Sequence, residues 1–338
     1  MKIKLVPLVA ALAVLTACSG GTPAATKDEQ PWSSFAPLRA ATTAPPAPSP
    51  AETKANELGL VPVLMYHRIV DNPKSVYERT PADFRAELER LVREDYVPVT
   101  AAEFTAGTID IPAGTHPVVL TFDDGDPSQF SLTPDGNPAA TSAVGILLDV
   151  ARAHPGFRPV ATLYVNQDPF GDPGGRRTLP WLHAHGFDIG NHTKTHANLR
   201  QDSADEAQAE IAGCDRQIRA AVPDAAPTTI ALPFGIHPRQ EDLTLKGPGY
   251  DYRGAFLVGA NPSPSPFSAK FDPLAIPRIR SEAATGEEAE YGSTTWLDKL
   301  SADPGERYTS DGDPARVSFP RADGTTVATA YLNRVNPY

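Results

Sequence analysis

The stretch HPVVLTFDDG, residues 116–125, joins a run of mostly apolar residues directly to two adjacent aspartates. A short apolar run of this kind is typical of a strand buried within a parallel sheet. Asp123 and Asp124 would leave the end of that strand, where two neighbouring negative charges repel each other and are costly to desolvate. The pair therefore requires a cation, solvent, or a catalytic use for two carboxylates in different roles.

Strands and helices alternate on both sides of this stretch. Apolar runs predict strands at 61–67, 97–100, 116–122, 160–166, 187–192, 228–234, 254–260 and 274–280. Helical periodicity and capping residues predict helices at 80–96, 101–107, 139–153, 177–186, 203–222 and 294–301. Repeated alternation predicts an α/β fold, with a parallel sheet that is either open or closed into a barrel and has its helices outside.

The charge balance excludes some classes of partner. The net charge is −11, and no run of lysine and arginine is present. This argues against nucleic acid and against anionic lipid bound through a basic patch, whereas a neutral substrate is compatible with it. We expect a monomer with no nucleic-acid partner.

The first residues, MKIKLVPLVAALAVLTACSG, have a basic start and a short apolar stretch that ends at Cys18. This is typical of a signal peptide, and its last residues resemble a bacterial lipobox. We predict a lipoprotein signal over residues 1–18, with lipidation of Cys18 and an extracytoplasmic protein anchored to the membrane. Residues 19–58, rich in Pro, Ala and Thr, are predicted to be a disordered tether.

Polar clusters follow four of the predicted strands. They are Tyr66–His67, Asp123–Gly125, the segment NHTKTH at 191–196, and Pro233–Gly235. Because parallel strands gather reactive groups beyond their carboxyl ends, the four clusters predict a single active site.

His192 and His196 are spaced i, i+4, which on a helical turn would direct both imidazoles to one side and suit a metal ion. Two histidines and one carboxylate suit catalytic zinc, and they also suit non-haem iron oxygenases. Adjacent aspartates point in different directions, so one could bind the metal while the other takes a proton from a water molecule on it.

TFDDG, NHTKTH and LPFG, in this order, resemble the motifs of the polysaccharide deacetylases, the NodB-homology or carbohydrate esterase four family. The resemblance covers roughly residues 60 to 280 and implies a distorted (β/α) barrel of about seven parallel strands. It also implies metal-dependent hydrolysis of N-acetyl groups on an amino-sugar polymer. We place the catalytic domain at 59–284 and a C-terminal extension, packed on the barrel, at 285–338.

The resemblance also implies residue roles. Asp123 would be the catalytic base, and Asp124, His192 and His196 would bind the metal, most often zinc. Pro233, Phe234 and Gly235 would form one wall of the substrate groove.

Two departures from the family pattern stand out. Ala231 occupies the position at which the family usually has an arginine that holds the base. Arg278 or Arg280 could supply that charge, or they could form ordinary surface ion pairs.

The second departure is that no histidine follows His237, although most members have a late histidine as general acid. PVLMYHRI, residues 62–69, resembles the poly-N-acetylglucosamine deacetylase subgroup, which implies that His67 is the acid. Tyr66, in the same polar cluster, is predicted to bind substrate. The alternative is that His67 is a core histidine bonded to backbone.

The leading hypothesis is a polysaccharide N-deacetylase that acts on an N-acetylglucosamine exopolysaccharide or on the glycan of peptidoglycan. The alternatives are an O-acetyl esterase of the xylan type and a catalytically weak glycan-binding lipoprotein. The iron-oxygenase hypothesis would require an all-β jelly roll. Cys214 lies at helical spacing with Ile211 and Ile218, which predicts a buried core thiol.

Overall fold

The computed structural model describes residues 48–286, 288–322, 324 and 326–338. Its main sheet contains eight strands, and all of their pairings are parallel. The strands are β1 (Val63–Tyr66), β2 (Tyr96–Val99), β3 (His116–Phe122), β4 (Thr162–Val165), β5 (Asp188–Asn191), β6 (Thr229–Ala231), β7 (Gly254–Phe256) and β8 (Ile279–Arg280). Their order is β7-β6-β5-β4-β3-β1-β8, and β2 pairs with the first half of β3.

The two ends of this sheet meet. The Ile276 amide donates to the carbonyl of Ala255 at 3.0 Å, and the Leu257 amide donates to the carbonyl of Ile276 at 2.9 Å. These bonds join β7 to the chain that leads into β8, so the sheet curls into a distorted barrel. The predicted (β/α) barrel of about seven parallel strands is therefore confirmed, and its parallel pairing is unlike the antiparallel jelly roll that the oxygenase hypothesis needs.

Most of the α-helices begin after a serine or threonine whose side chain caps the first turn. For example, the Thr80 side chain accepts a hydrogen bond from the Asp83 amide at 3.0 Å, and Pro81 is the first helical residue. The α-helices are α1 (Pro50–Thr53), α2 (Pro81–Arg93), α3 (Ala101–Ala106), α4 (Ala143–Ala153), α5 (Thr178–Ala184), α6 (Ala204–Ala221) and α7 (Ser293–Ala302). Among the described residues, we find no helix with the length and apolar character that crossing a bilayer requires.

Several shorter elements complete the chain. The additional strands pair as Arg68–Ile69 with Glu78–Arg79, Lys246–Gly247 with Tyr250–Asp251, and Val317–Phe319 with Val335–Pro337. The 3₁₀ helices are Pro169–Gly171, Pro173–Gly175, Pro233–Gly235, Glu241–Thr244, Ala289–Tyr291 and Thr329–Arg334.

The end of the predicted tether is folded, which corrects its boundary at residue 58. Ser49 caps α1 through a capping box, and the Asn56 amide donates to the carbonyl of Thr309 at 2.9 Å. Ala55 and Leu58 are buried, because the C-terminal part of the chain covers them. The predicted signal peptide, Cys18 and the tether up to residue 47 lie outside the described residues.

The C-terminal residues share a hydrophobic core with the barrel. Tyr308 and Val317 belong to the same buried cluster as Val63 of β1 and Val99 of β2. Burial of these apolar side chains gives the segment after β8 a direct part in the stability of the barrel.

The carboxyl group of Glu57 is buried among the C-terminal residues, where it accepts hydrogen bonds from the amides of Ser318 at 2.8 Å and Asp311 at 3.3 Å. Burial raises the pKa of Glu57 to about 8. Because the pKa of Glu57 is higher in the native state than in the unfolded chain, the native state binds the carboxyl proton more tightly. The stabilisation that this proton gives is complete below about pH 4.5 and is lost towards pH 8.

We therefore expect the melting temperature to fall less steeply between pH 5 and pH 8 in Glu57→Gln than in the wild type, because the amide does not ionise. Thermal unfolding followed across that range would measure the two slopes. Parallel slopes would show that Glu57 does not titrate in this window.

Candidate metal centre and substrate groove

The parallel strands bring the predicted polar clusters to one edge of the barrel. His67 follows β1, Asp123 and Asp124 follow β3, and His192 follows β5. The Pro233–Gly235 turn begins two residues after β6 ends. The carboxyl ends of these strands lie on the same side because every pairing between neighbouring strands is parallel.

Asp124, His192 and His196 form a cluster whose ligand atoms all lie within 4.8 Å of one another. Asp124 Oδ1 is 3.3 Å from His192 Nε2 and 3.4 Å from His196 Nε2. The structure thus assembles the three residues proposed as metal ligands.

The turn that carries the two histidines is not helical, contrary to the local geometry expected from their spacing. Thr193 and His196 both have positive φ angles, 61° and 58°. The Asn191 side chain accepts a hydrogen bond from the Thr193 amide at 2.8 Å, and the Thr193 hydroxyl accepts one from the Ala197 amide at 3.1 Å. These side-chain bonds stabilise a tight loop that still directs both imidazoles towards Asp124.

His192 provides an independent sign that a cation fits this cluster. Its Nδ1 lies 2.8 Å from the carbonyl oxygen of Ala231, and since a carbonyl only accepts, Nδ1 carries the proton. Nε2 is then an acceptor, and it is buried with no hydrogen-bond partner in the part of the chain that the structure describes. Two imidazoles and one carboxylate are a donor set that suits zinc and related divalent metals.

We expect His192→Ala to lower the affinity for zinc by more than about 100-fold. Loss of a hydrogen bond that orients a metal ligand lowers metal affinity by about 10- to 100-fold, and loss of the ligand itself has a larger effect. Calorimetric titration with zinc would measure it. His185→Ala is the matched control, since the His185 ring stacks on Trp181, with 3.7 Å between the ring centroids, and is not part of the cluster. Equal affinity in both variants would contradict the metal site.

Asp123 is buried against an arginine. Arg278 donates from its two terminal nitrogens to Oδ1 at 2.7 Å and to Oδ2 at 2.6 Å. Arg278 is itself buried, and its Nε donates to the carbonyl of Leu257 at 2.7 Å. Burial opposes ionisation of Asp123, but the guanidinium beside it holds the pKa of the carboxyl well below its usual range.

Of the two candidate arginines, only Arg278 holds Asp123. Arg280 donates to the carboxylates of Glu282 and Glu288, each at 2.7 Å, and its guanidinium lies over the ring of Tyr77. The base-orienting role considered for Arg280 is therefore wrong, because two glutamates hold its side chain elsewhere.

His67 lies beside Asp123, with 4.0 Å between His67 Nε2 and Asp123 Oδ2. Its Nδ1 is buried and has no hydrogen-bond partner within the described residues, which differs from a core histidine bonded to backbone. Burial lowers the pKa of His67, and the negative charge of Asp123 opposes that effect.

Tyr66 does not contact the groove, contrary to its predicted substrate-binding role. Its hydroxyl donates to Glu87 at 2.7 Å, and its ring stacks on Phe122 in the core. Successive residues of a strand point to opposite faces, so a His67 side chain beside Asp123 sends the Tyr66 side chain the other way.

A cavity of about 300 Å³ lies over the cluster and is lined partly by exposed apolar residues. Phe234 is 57% exposed and meets the His196 ring edge-on, with 4.8 Å between the centroids. Gly235 allows the close approach of this turn, because a Cβ there would lie 2.8 Å from the Val258 amide nitrogen.

Tyr77 lines the same cavity, although no pattern in the sequence predicts it there. Its ring lies 4.9 Å from that of His67 and is 40% exposed. The loop that carries it has no motif, so its place beside His67 had no signal in the sequence.

Cys214 is confirmed as a buried core thiol. Its sulfur donates to the carbonyl of Val165 at 3.0 Å, and burial raises its pKa to about 12. A thiol with so high a pKa is not a nucleophile at neutral pH.

A parallel (β/α) barrel with a buried carboxylate beside an Asp–His–His cluster is an arrangement suited to metal-assisted hydrolysis. Residues 110–252 match the polysaccharide deacetylase family, so the chain carries a polysaccharide deacetylase domain of the NodB type. The matched segment includes Asp123 and the three clustered residues, whereas His67 and Arg278 lie outside it.

A chitooligosaccharide deacetylase of Bradyrhizobium sp. (strain ANU 289) is 32% identical over 144 residues, which are 42% of this chain and 55% of that relative. The match therefore spans about half of the length of that curated protein. The Streptococcus pyogenes deacetylase PplD, solved with acetate, aligns with a TM-score of 0.52 at 20% identity, over 71% of this chain and 97% of its own.

A polysaccharide deacetylase from Bacillus cereus aligns with a TM-score of 0.51 at 22% identity, over 68% of this chain and 67% of its own. At these identities the two structural alignments support the fold.

Proposed function

We propose that the protein is a metal-dependent polysaccharide N-deacetylase that hydrolyses acetamido groups of an N-acetylglucosamine polymer. The observation that supports this most is the buried Asp123 carboxylate, which Arg278 holds ionised beside the Asp124–His192–His196 cluster. A protein that only binds glycan has no need for an ionised base in this position.

Asp124, His192 and His196 would hold the divalent metal, with zinc as the leading candidate. When bound, the ion supplies Lewis-acid activation of water and of the acetyl carbonyl. Asp123 takes the proton from the water whose oxygen attacks the acetyl carbon. The carbon–nitrogen bond then breaks, which releases acetate and leaves a free amine on the sugar.

His67 is proposed as the acid that protonates the leaving nitrogen. Its ring lines the cavity and lies beside Asp123. Among the described residues that line the cavity, it is the one histidine outside the metal cluster. Its Nδ1 is buried without a hydrogen-bond partner among the described residues, which disfavours the charged ring, whereas the negative charge of Asp123 favours the protonated form that an acid needs.

The substrate groove suits neutral sugar rings. Phe234 and Tyr77 present exposed aromatic faces and edges around the cluster, and such faces pack against the apolar face of a pyranose. Pro233 and Gly235 shape the turn that presents Phe234. The net charge of −11 favours a neutral polymer over an anionic one.

Acetate release from β-1,6- and β-1,4-linked N-acetylglucosamine oligomers and from O-acetylated xylan oligomers tests the proposal. The chain without its first 18 residues would be assayed with zinc and with a chelator. Zinc-dependent release from an N-acetylated oligomer is expected, and the resemblance of residues 62–69 favours the β-1,6 linkage. Release from xylan alone would identify an O-acetyl esterase, and no release would favour a glycan-binding protein.

We further propose that the protein is extracytoplasmic and anchored to the membrane through lipid on Cys18. The support is the order of basic, apolar and small residues before this cysteine. Labelled fatty acid should be incorporated into the wild type expressed in a bacterial host but not into Cys18→Ala. Equal labelling of both would exclude this anchor.

A further inference from the structure

Gln129 connects the backbones of the two residues to which proton transfer is assigned. It lies between β3 and α4, in a segment with no role predicted from the sequence, and its side chain is completely buried. Its Nε2 donates to the carbonyl oxygen of His67 at 2.8 Å and also to the carbonyl oxygen of Asp123. One side-chain amide thus binds the backbone of both His67 and Asp123.

The orientation of this amide follows from its partners. Both partners are carbonyl oxygens, which only accept, so the nitrogen of Gln129 must face them. The amide oxygen, Oε1, is buried and accepts no hydrogen bond within the described ranges. A buried acceptor without a partner is unfavourable, which indicates that the two donated bonds determine how the side chain is placed.

The backbone of Gln129 is held on both sides. Its amide donates to the carbonyl of Asp126 at 2.9 Å, and its carbonyl accepts from the Val144 amide in the first turn of α4 at 3.0 Å. The neighbouring Ser128 hydroxyl accepts a hydrogen bond from the Ile69 amide at 3.0 Å. The side-chain amide therefore projects from a segment that is tied both to α4 and to the chain just after β1.

The contact of Gln129 with His67 and Asp123 lies where the regular pairing between β1 and β3 ends. Tyr66 and Phe122 are the last register pair of β1 and β3, and the Asp123 amide donates to the carbonyl of Tyr66 at 3.0 Å. His67 and Asp123 follow directly, and Gln129 continues the connection between the two chains beyond the sheet.

We propose that Gln129 is a positioning residue, which sets the separation between His67 and Asp123 by holding their carbonyl groups together. This inference rests on the proposed function, in which Asp123 takes a proton and His67 gives one. Gln129 does not line the cavity and is not part of the metal cluster, so it acts only through the two residues that it connects.

The test is Gln129→Met, which keeps the length of the side chain and removes both donors. We expect kcat for acetate release to fall about 10- to 100-fold, because small misplacements of reacting groups have effects of this order. KM and the dissociation constant for zinc are expected to stay unchanged, since the groove and the cluster are intact.

Asn56→Leu is the matched control. Asn56 is also a buried amide that donates to a backbone carbonyl, that of Gly305 at 2.8 Å, but it lies before β1 rather than after it. This variant is expected to lower the melting temperature and leave kcat unchanged.

The outcomes separate the two proposals. No acetate release by the wild type would overturn the proposed function, whatever Gln129 does. An active wild type with full kcat in Gln129→Met would overturn the positioning role, as would an equal loss in Asn56→Leu or a parallel loss of zinc affinity. If Gln129→Met does not fold, Gln129→Asn, which keeps the amide on a shorter side chain, is expected to lose kcat, and full kcat there would equally overturn the inference.

Discussion

Replacing Asp123 with asparagine should lower kcat for acetate release by about 10²–10⁴-fold, the usual contribution of a positioned general base. The amide has nearly the same shape as the carboxylate, but it does not take a proton from water. The measurement is acetate release at saturating oligomer, with zinc present in excess over the enzyme.

Two further readouts are needed, because Asp123 is half of a buried ion pair. Asparagine leaves the Arg278 guanidinium buried without a counter-charge, which destabilises a protein by about 3–5 kcal/mol. Thermal unfolding would show whether Asp123→Asn is folded at the assay temperature, and calorimetry would show whether zinc still binds. A folded, zinc-binding variant with wild-type kcat would remove Asp123 from the role of base.

Arg278→Met should have the second largest effect, on stability and activity together. It leaves the Asp123 carboxylate buried without its partner, and we expect the free energy of unfolding to fall by about 3–5 kcal/mol. The pKa of Asp123, which Arg278 now holds below its usual range, should rise. Because the base must be ionised, the acidic limb of the pH–activity profile should move to higher pH.

Two other variants separate charge from geometry. Arg278→Lys keeps a positive charge but loses the bidentate hydrogen bonding to Asp123, so an intermediate loss of activity is expected. Arg278→Met combined with Ala231→Arg returns the arginine to the position that the family usually uses, and should recover part of the activity. A pH profile that is the same in Arg278→Met and the wild type would show that the arginine does not hold the base ionised.

Local sequence patterns predicted the sheet and the edge at which the metal cluster lies, and the resemblance to the family assigned Asp124 rather than Asp123 to that cluster. Buried strands followed by amphipathic helices predict a parallel barrel, since each element must bury one face against its neighbours. Asp123, Asp124 and His192 lie directly after two of these strands, and parallel pairing brings such positions to one edge. His196 lies further along the loop after β5. The end of each strand therefore determines where these side chains lie.

Contacts between distant parts of the chain decided the rest. Arg278 and Arg280 are equivalent in the sequence, and only folding shows that Arg278 reaches Asp123, 155 residues away. Tyr66 rather than Tyr77 was expected in the groove, because the local motif does not show which face of β1 points outwards.

Gln129 carried no signal at all, because its role depends on two backbone carbonyls that the barrel brings together. The sequence by itself determined the barrel and the metal cluster, since periodicity and strand ends are local properties. The partner of the base, the walls of the groove and the connection between His67 and Asp123 were decided by tertiary structure, because each depends on which side chains and carbonyls meet across the fold.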